Sequence, residues 1–255
     1  MSFETGTEVY ARHVGRYAAP LAAAFCDAVS LRQGDTALDV GCGPGALAAE
    51  LGRRLGPGSV AGVEPSAPFL EAAREAVPRA DLRSGRAEAL PFGDGSFDVA
   101  LSQLVVNFMQ DAPRGVAELA RVARRTVASC VWDYAGEMTM LRVFWDAALE
   151  LDHDAPDEGR VMAHSTPEEL HELWEAAGLR EVETGELVVA ADYADFEDYW
   201  SPFTQGLAPS GAYCASLPED RRVALRDACY RRLGSPGGAF SLRARAWCVV
   251  GTVRD

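Results

Sequence analysis

Three glycines alternate through Leu38-Asp39-Val40-Gly41-Cys42-Gly43-Pro44-Gly45, directly after a short apolar run. Glycine tolerates a left-handed backbone and lets the main chain approach a ligand closely, so Gly41 suits a tight turn and Gly43 a close contact. Glu64 closes the next apolar run, Ser59–Glu64, followed by Pro65. An acid at that spacing can accept hydrogen bonds from ribose hydroxyls. A dinucleotide fingerprint would read G-x-G-x-x-G and aim helix amides at a pyrophosphate. Here the spacing is G-x-G-x-G, and Pro44 removes a donor that a pyrophosphate could use. The loop favours a ligand without phosphate, with a nicotinamide or flavin dinucleotide as the disfavoured alternative.

General bases are few. The histidines are His13, His153, His164 and His171, and the acids nearest a strand end are Asp133 and Glu137. Asp133 directly follows an apolar strand, on the side where site residues of open α/β sheets collect, and ranks first among the acids. His164 precedes a helix N-cap at Ser165 or Thr166, which leaves it between a cleft residue and a capping-loop residue. His171 falls at helical spacing and reads as a surface residue. Asn107 and Phe108, just after the fourth strand, are candidates to line an acceptor pocket. Trp200 and Phe203, flanking Pro202, are candidates for its wall, whereas Phe144 and Trp145 read as core.

The elements that would hold these residues follow from hydrophobic period. Strands are predicted over Thr36–Gly41, Ser59–Glu64, Ala80–Gly85, Phe97–Ser102 and Thr126–Trp132, separated by helices over Ala46–Leu55, Ser66–Val77 and Ala112–Ala123. Such alternation predicts a parallel sheet covered on both faces. After Trp132 the rhythm changes, with helices near Met138–Leu151, Pro167–Ala177, Ala194–Phe203 and Pro218–Leu233 and strands near Leu179–Ala191 and Arg245–Val253. The expected organisation is a single 255-residue domain. Residues 1–135 would hold the ligand loop and an N-terminal helix. Residues 136–243 would form a largely helical cap with one late strand, and 244–255 the last strand.

Composition narrows the classes. The formal net charge is −14, all 24 cationic residues are arginines, and Arg121, Arg124 and Arg125 read as a solvated helix end. Nucleic-acid binding needs clustered cations and is not expected. With no lysine, Schiff-base and P-loop chemistry are excluded. Six scattered cysteines with no CxxC pair predict no metal site and a reducing compartment. No 18-residue apolar run predicts a membrane span, and Met1-Ser2-Phe3-Glu4-Thr5 does not read as a secretion leader. The expectation is a cytoplasmic protein with neither nucleic-acid nor membrane partners; oligomeric state is not encoded in these features.

LDVGCGPG resembles motif I of the class I S-adenosylmethionine-dependent methyltransferases, in particular their small-molecule branch. The resemblance continues through Gly62-Val63-Glu64-Pro65-Ser66, Ala87-Glu88-Ala89-Leu90-Pro91-Phe92 and Ser96-Phe97-Asp98-Val99-Ala100. It implies a Rossmann-like, doubly wound α/β fold with a seven-stranded sheet, mostly parallel, whose last strand is antiparallel. It implies S-adenosylmethionine as cofactor, with Gly41, Cys42 and Gly43 at the methionine moiety and Glu64 and Pro65 at the ribose. Arg86, Ala87 and Glu88 would sit at the adenine edge and Gln103 at the sulfonium end. Tyr10, Arg16 and Tyr17 would close over the cofactor, Arg16 pairing with its carboxylate. The sequence departs from the family pattern at Arg86, where an acid is usual, and at Arg124-Arg125-Thr126, which replaces a Pro-Gly-Gly turn. The activity implied is methyl transfer to a small, apolar or aromatic acceptor. The alternatives are a fold relative using the cofactor for other chemistry, such as a cyclase or hydroxylase, and a catalytically idle cofactor-binding protein.

Overall fold

The computed structural model describes residue 10 and residues 12–253, so the N-terminal pentapeptide read above lies outside the described residues. The chain divides into two compact units. One holds Ala18–Trp132, Ala163–Leu187 and the chain from Ala246. The other holds the described residues to Tyr17, with Asp133–Met162 and Val188–Arg245. Strands β6 (Arg180–Tyr193) and β7 (Phe240–Thr252) each pass from one unit into the other.

The larger unit is built on β1 (Ala37–Val40), β2 (Val60–Glu64), β3 (Asp81–Ser84), β4 (Phe97–Gln103) and β5 (Ala123–Trp132). These five are parallel, and the seven-stranded sheet has the order β3-β2-β1-β4-β5-β7-β6. β7 runs antiparallel to β5, from Thr126 opposite Thr252 to Trp132 opposite Ala246. The fold is the expected mostly parallel α/β sheet. β1 and β2 are buried along their whole length because helices cover both faces, which explains their mostly apolar runs.

Helix α1 (Ala18–Ala28) precedes β1, and α2 (Ala46–Leu55), α3 (Ala67–Ala76) and α4 (Ala112–Val122) connect β1 to β2, β2 to β3 and β4 to β5. α4 is capped by the Asp111 carboxylate, which accepts from the Arg114 amide at 3.1 Å. At its far end Arg121 pairs with Glu118 and Asp94, Arg124 with Asp98, and Arg125 with Asp35. The three arginines neutralise the protein's own carboxylates and form no cationic track.

Two expectations change. Helix α7 (Pro167–Ala176), placed in the cap on sequence, packs Leu170, Leu173 and Trp174 into the core of the sheet unit. Its Trp174 indole donates to the Val127 carbonyl of β5 at 3.1 Å, and such a buried N–H needs that partner. The helix expected over Ala194–Phe203 ends early. α8 spans Phe196–Trp200, and Pro202 sits in a tighter 3-10 turn over Ser201–Gln205. The smaller unit also contains α5 (Thr139–Leu151), α6 (Glu158–Val161), α9 (Ala208–Ser216) and α10 (Glu219–Arg232). α9 was not foreseen, since APSGAYCAS carries no apolar period.

Within that unit Phe144 stacks on Phe203 with centroids 4.5 Å apart, and Trp200 stacks on Phe144 at 6.4 Å and on Phe196 at 6.5 Å. Beside them Glu158 is buried, accepting from the Trp145 indole at 2.9 Å. Burial, with the neighbouring Asp157 carboxylate adding to it, pushes the Glu158 carboxyl up to about 7 against the opposing pull of Trp145 and Arg142. The unfolded chain ionises this group from about pH 4.5 while the folded one resists until about 7, so folding stability falls across that window. Glu158→Gln should therefore raise stability by about 3 kcal/mol at pH 8 and by little below pH 4.5. Thermal melts of both proteins across the range provide the check, and a pH-independent difference contradicts the assignment.

Candidate functional site

The carboxyl ends of β1, β2 and β4 lie side by side, because Val40 pairs with Val63 and Leu101 with Asp39. The turn leaving β1 has Gly41, Gly43 and Gly45 at φ 72°, 52° and 97°, a left-handed geometry that strains other residues. The Gly41 and Cys42 amides both donate to the Val63 carbonyl, at 2.7 and 3.1 Å, which folds the loop back onto β2. The two glycines face different surroundings. A Cβ on Gly41 would lie 2.5 Å from a methyl of Val105, whereas one on Gly43 would meet nothing within 4 Å. Gly41 fills a packing need; Gly43 leaves its backbone open to a ligand.

Glu64 ends β2 and joins two loops. Its Oε2 accepts from the Gly43 amide at 3.0 Å and its Oε1 from the Ser66 amide at 2.8 Å. Burial holds its carboxyl above the ordinary range against those two donors. Each carboxylate oxygen retains a free lone pair, so the group can still accept from a pair of hydroxyls. Pro65 is exposed beside it, and Cys42 is buried with its thiol pushed up by that burial. At the end of β3, Arg86 and Glu88 form an ion pair at 3.5 Å. Glu88 Oε1 also accepts from the Gln110 amide at 2.8 Å, and Ala87 between them is buried in the core. Glu88 is therefore a loop tie between the ends of β3 and β4.

Sequence reasoning passed over Asp39. It is fully buried inside β1, no well-formed hydrogen bond reaches either carboxylate oxygen, and burial pushes its carboxyl up to about 8, with the Ala48 amide pulling weakly the other way and the Glu64 charge adding to the rise. On β4 the Ser102 hydroxyl and the Gln103 Oε1 are likewise buried and unpartnered, while Gln103 Nε2 donates to the Ala18 carbonyl at 3.0 Å. A buried polar atom without a partner costs about 1–3 kcal/mol, so such atoms mark where a ligand supplies what the protein lacks. The signal was available: a lone acid in an otherwise apolar strand. After Gln103 the chain leaves the sheet through Leu104 at φ 64°, and Asn107 and Phe108 follow, half-buried, in a 3-10 turn.

Other expected residues are engaged elsewhere. Asp133 belongs to the smaller unit, where its carboxylate accepts from the Gly136 and Glu137 amides at 3.0 and 2.7 Å and from Arg245 at 2.8 Å. Its oxygens are thus engaged by two main-chain amides and a guanidinium of its own unit. His164 lies in the sheet unit at φ 52°, immediately before the start of α7, where Thr166 caps the Glu169 amide at 3.2 Å. It thus directly precedes the capping loop. Arg16, expected to meet a ligand carboxylate, instead pairs with Asp198 at 3.1 Å and lies over the Tyr193 ring at 4.0 Å. Trp200 and Phe203, expected on a pocket wall, have their faces taken by the stacked rings described above and are buried. Tyr10 is half-buried near Gly15, in the same unit as Arg16.

Among the described residues no helix is long and apolar enough to cross a membrane, and no three His, Cys, Asp or Glu side chains could together hold a metal ion. A family model described as a methyltransferase domain matches residues 38–128. A 2-phytyl-1,4-naphthoquinone methyltransferase of Nostoc is 36% identical over 110 residues, which is 40% of this chain and 48% of that protein. The match thus spans about half of that relative's length. Two solved structures share the fold. One, described as a methyltransferase from an antibiotic biosynthesis pathway of Anabaena variabilis, has TM-score 0.62 and 20% identity, covering 90% of this chain and 96% of that one. The other, the [4+2]-cyclase SpnF, has TM-score 0.56 and 18% identity, covering 92% and 82%.

The two loop glycines make separable predictions. Gly41→Ala meets both strain and the Val105 side chain and should cost about 2–4 kcal/mol of stability, while Gly43→Ala meets strain alone and should cost about 1–2. Denaturant titration measures both; equal losses would show that the Val105 contact relaxes freely.

Proposed function

We propose that this chain, a class I S-adenosylmethionine-dependent methyltransferase by its domain at residues 38–128, transfers a methyl group to a small apolar or aromatic acceptor. The observation that carries the reading is the set of buried, unpartnered oxygens on Asp39, Ser102 and Gln103 beside the open backbone of Gly43. Asp39 and the Gln103 Oε1 offer acceptor capacity there, and a ligand end bearing an ammonium and a sulfonium would supply a donor and positive charge. A pyrophosphate would bring negative charge beside the Glu64 carboxylate instead.

When bound, the cofactor supplies a methyl group activated by positive sulfur, so the protein needs to orient and to exclude water. In this reading Glu64 accepts from the ribose hydroxyls while holding the Gly43 and Ser66 amides. Asp39, nearly neutral alone, ionises opposite the incoming cation. Gly41 and Cys42 keep the loop against β2, and Gln103 orients through its bond to Ala18. The naphthoquinone substrate of the Nostoc relative supports an aromatic acceptor for this chain.

Calorimetry tests the cofactor assignment directly. S-adenosylmethionine and S-adenosylhomocysteine should give binding heat and NAD none, and the reverse pattern overturns the proposal. Glu64→Ala should weaken S-adenosylmethionine by about 1.5–3 kcal/mol, the range for hydrogen bonds to a charged group, in a protein checked for folding by its melting curve. An affinity unchanged within about twofold (about 0.4 kcal/mol) means that the ribose is held elsewhere. Label carried from the cofactor's methyl to an acceptor separates methyl transfer from cyclase chemistry on the same fold.

A further inference from the structure

Where β7 runs antiparallel to β5, Cys130 and Cys248 stand directly opposite each other. Two main-chain bonds fix what kind of pair this is. The Asp133 amide donates to the Arg245 carbonyl at 3.0 Å and the Val253 amide to the Arg125 carbonyl at 2.8 Å. Both bonds join residues opposed in the same register, which runs without a shift from Thr126 to Trp132. Opposed pairs alternate along an antiparallel ladder between hydrogen-bonded and non-hydrogen-bonded. Counted inward from either bond, Cys130 and Cys248 fall on a non-hydrogen-bonded pair, the kind whose Cα atoms approach to about 4.5 Å.

Opposed side chains share one face of the sheet. Val127, Val131 and Val249, at the alternate positions, pack in the core with residues of α4 and α7, so the two cysteines occupy the other face. Both are buried free thiols. Burial, with Cys248 beside it and Cys26 and Asp39 adding to the effect, holds the Cys130 thiol well above its ordinary range. Burial also pushes Cys248 up to about 12.

A single buried cysteine serves as a small apolar residue. A pair in this register can do more. A Cα separation of about 4.5 Å falls inside the disulfide range of about 4.4–6.8 Å, at its short end. Opposed Cβ atoms stand about 4.5–5.5 Å apart and must close to about 3.8 Å, which strains the bond and eases its reduction. Strained disulfides are the labile, regulatory kind, and in reducing compartments disulfides of that kind form transiently. Cys26, on helix α1, stands outside this ladder, and Cys214 and Cys229 belong to the smaller unit.

We propose that Cys130 and Cys248 are a redox modification site that closes a reversible cross-strand disulfide when the protein meets a peroxide. One thiolate attacks the peroxide O–O bond, gains an oxygen as sulfenic acid and releases hydroxide. The second thiolate attacks that sulfur, forming the S–S bond and expelling a second hydroxide. The sulfurs lose two electrons, the peroxide gains two, and the two thiol protons end in two waters. Hydrogen peroxide is small and neutral, which suits sulfurs this deep; burial makes the step slow, because thiolate is scarce. The bond would tie the last strand to β5 beside the cofactor end of the sheet. Cys130 is there opposed to Gln103 of β4, and its carbonyl accepts from the Leu104 amide at 2.8 Å.

The test exposes the folded, fully reduced chain to hydrogen peroxide overnight, followed by acid quench, alkylation and peptide mapping by mass spectrometry without reduction. The peptide carrying Cys130 should be joined to that carrying Cys248, and dithiothreitol should separate them. Chain unfolded in urea before oxidation should instead scatter its disulfides among all six cysteines. The oxidised folded protein should melt at least about 3 °C higher, because the bond closes a long loop in the unfolded chain. Cys130→Ala and Cys248→Ala should each abolish that gain, and Cys26→Ala should keep it. Should a variant fail to fold, the wild-type map and melt decide alone. The proposal is overturned if Cys130 and Cys248 stay alkylatable in the folded protein, or are carried on to sulfinic acid. Pairings that match the urea-unfolded sample, or a melting point that does not rise, overturn it equally.

Discussion

The carboxylate of Glu64 is the interaction on which the ligand end of the sheet depends. One oxygen holds the amide of Gly43, in the loop after β1, and the other holds the amide of Ser66, at the start of α3. The group thus ties the ends of two adjacent parallel strands, at a depth where burial disfavours its charge. The two amide bonds favour its charged form and oppose that burial. The Gly41 and Cys42 amides pull the same loop onto the Val63 carbonyl one residue earlier. With main-chain bonds closed inward, the outer face of Gly43 is left free, and that face is where a ligand can come.

Much of this was legible in the sequence, and the reason is physical. Parallel strands buried on both faces are mostly apolar, so β1, β2 and the inner part of β5 announce themselves as short apolar runs, broken in β1 by Asp39. Left-handed turns demand glycine, so Gly41 and Gly43 announce the loop. Glu64 is an acid where an apolar strand stops. What escaped the reading depends on partners distant in the chain. Asp133 looks like a site residue by position, and only the fold shows that Arg245, 112 positions away, and the amides of Gly136 and Glu137 consume it. The amphipathic pattern of α7 says that Leu170, Leu173 and Trp174 are buried, but not against what; the Trp174 bond to β5 decides it. Arg16 is similar, its fork claimed by Asp198 across 182 positions. α9 lacked even a period to read.

Charge follows the same division between local and distant. The net charge of −14 disfavours polyanions, and the run Arg121, Arg124 and Arg125 disperses into pairs with Glu118, Asp98 and Asp35. The more exposed of these, such as Arg124 with Asp98, contribute little, about 0–1 kcal/mol each, so they leave stability to packing. The smaller unit draws its packing from stacked and edge-on rings around Phe144 and Phe203. That explains why Trp200 and Phe203 carry a signature resembling a pocket wall. Aromatic residues beside a proline look alike in sequence whether their faces meet a ligand or one another.

Folded proteins pair nearly all of their buried polar atoms, and this one departs from that rule in a patterned way. In the sheet unit the unpartnered atoms include oxygens of Asp39, Ser102 and Gln103, at or near the carboxyl ends of β1 and β4. These atoms gather at the end of parallel strands, where ligands bind open α/β sheets. In the smaller unit both nitrogens of His13 are likewise buried without a partner. A sequence selected for stability alone would replace Asp39 with an aliphatic residue and His13 with phenylalanine, since both positions are buried and both polar groups are costly.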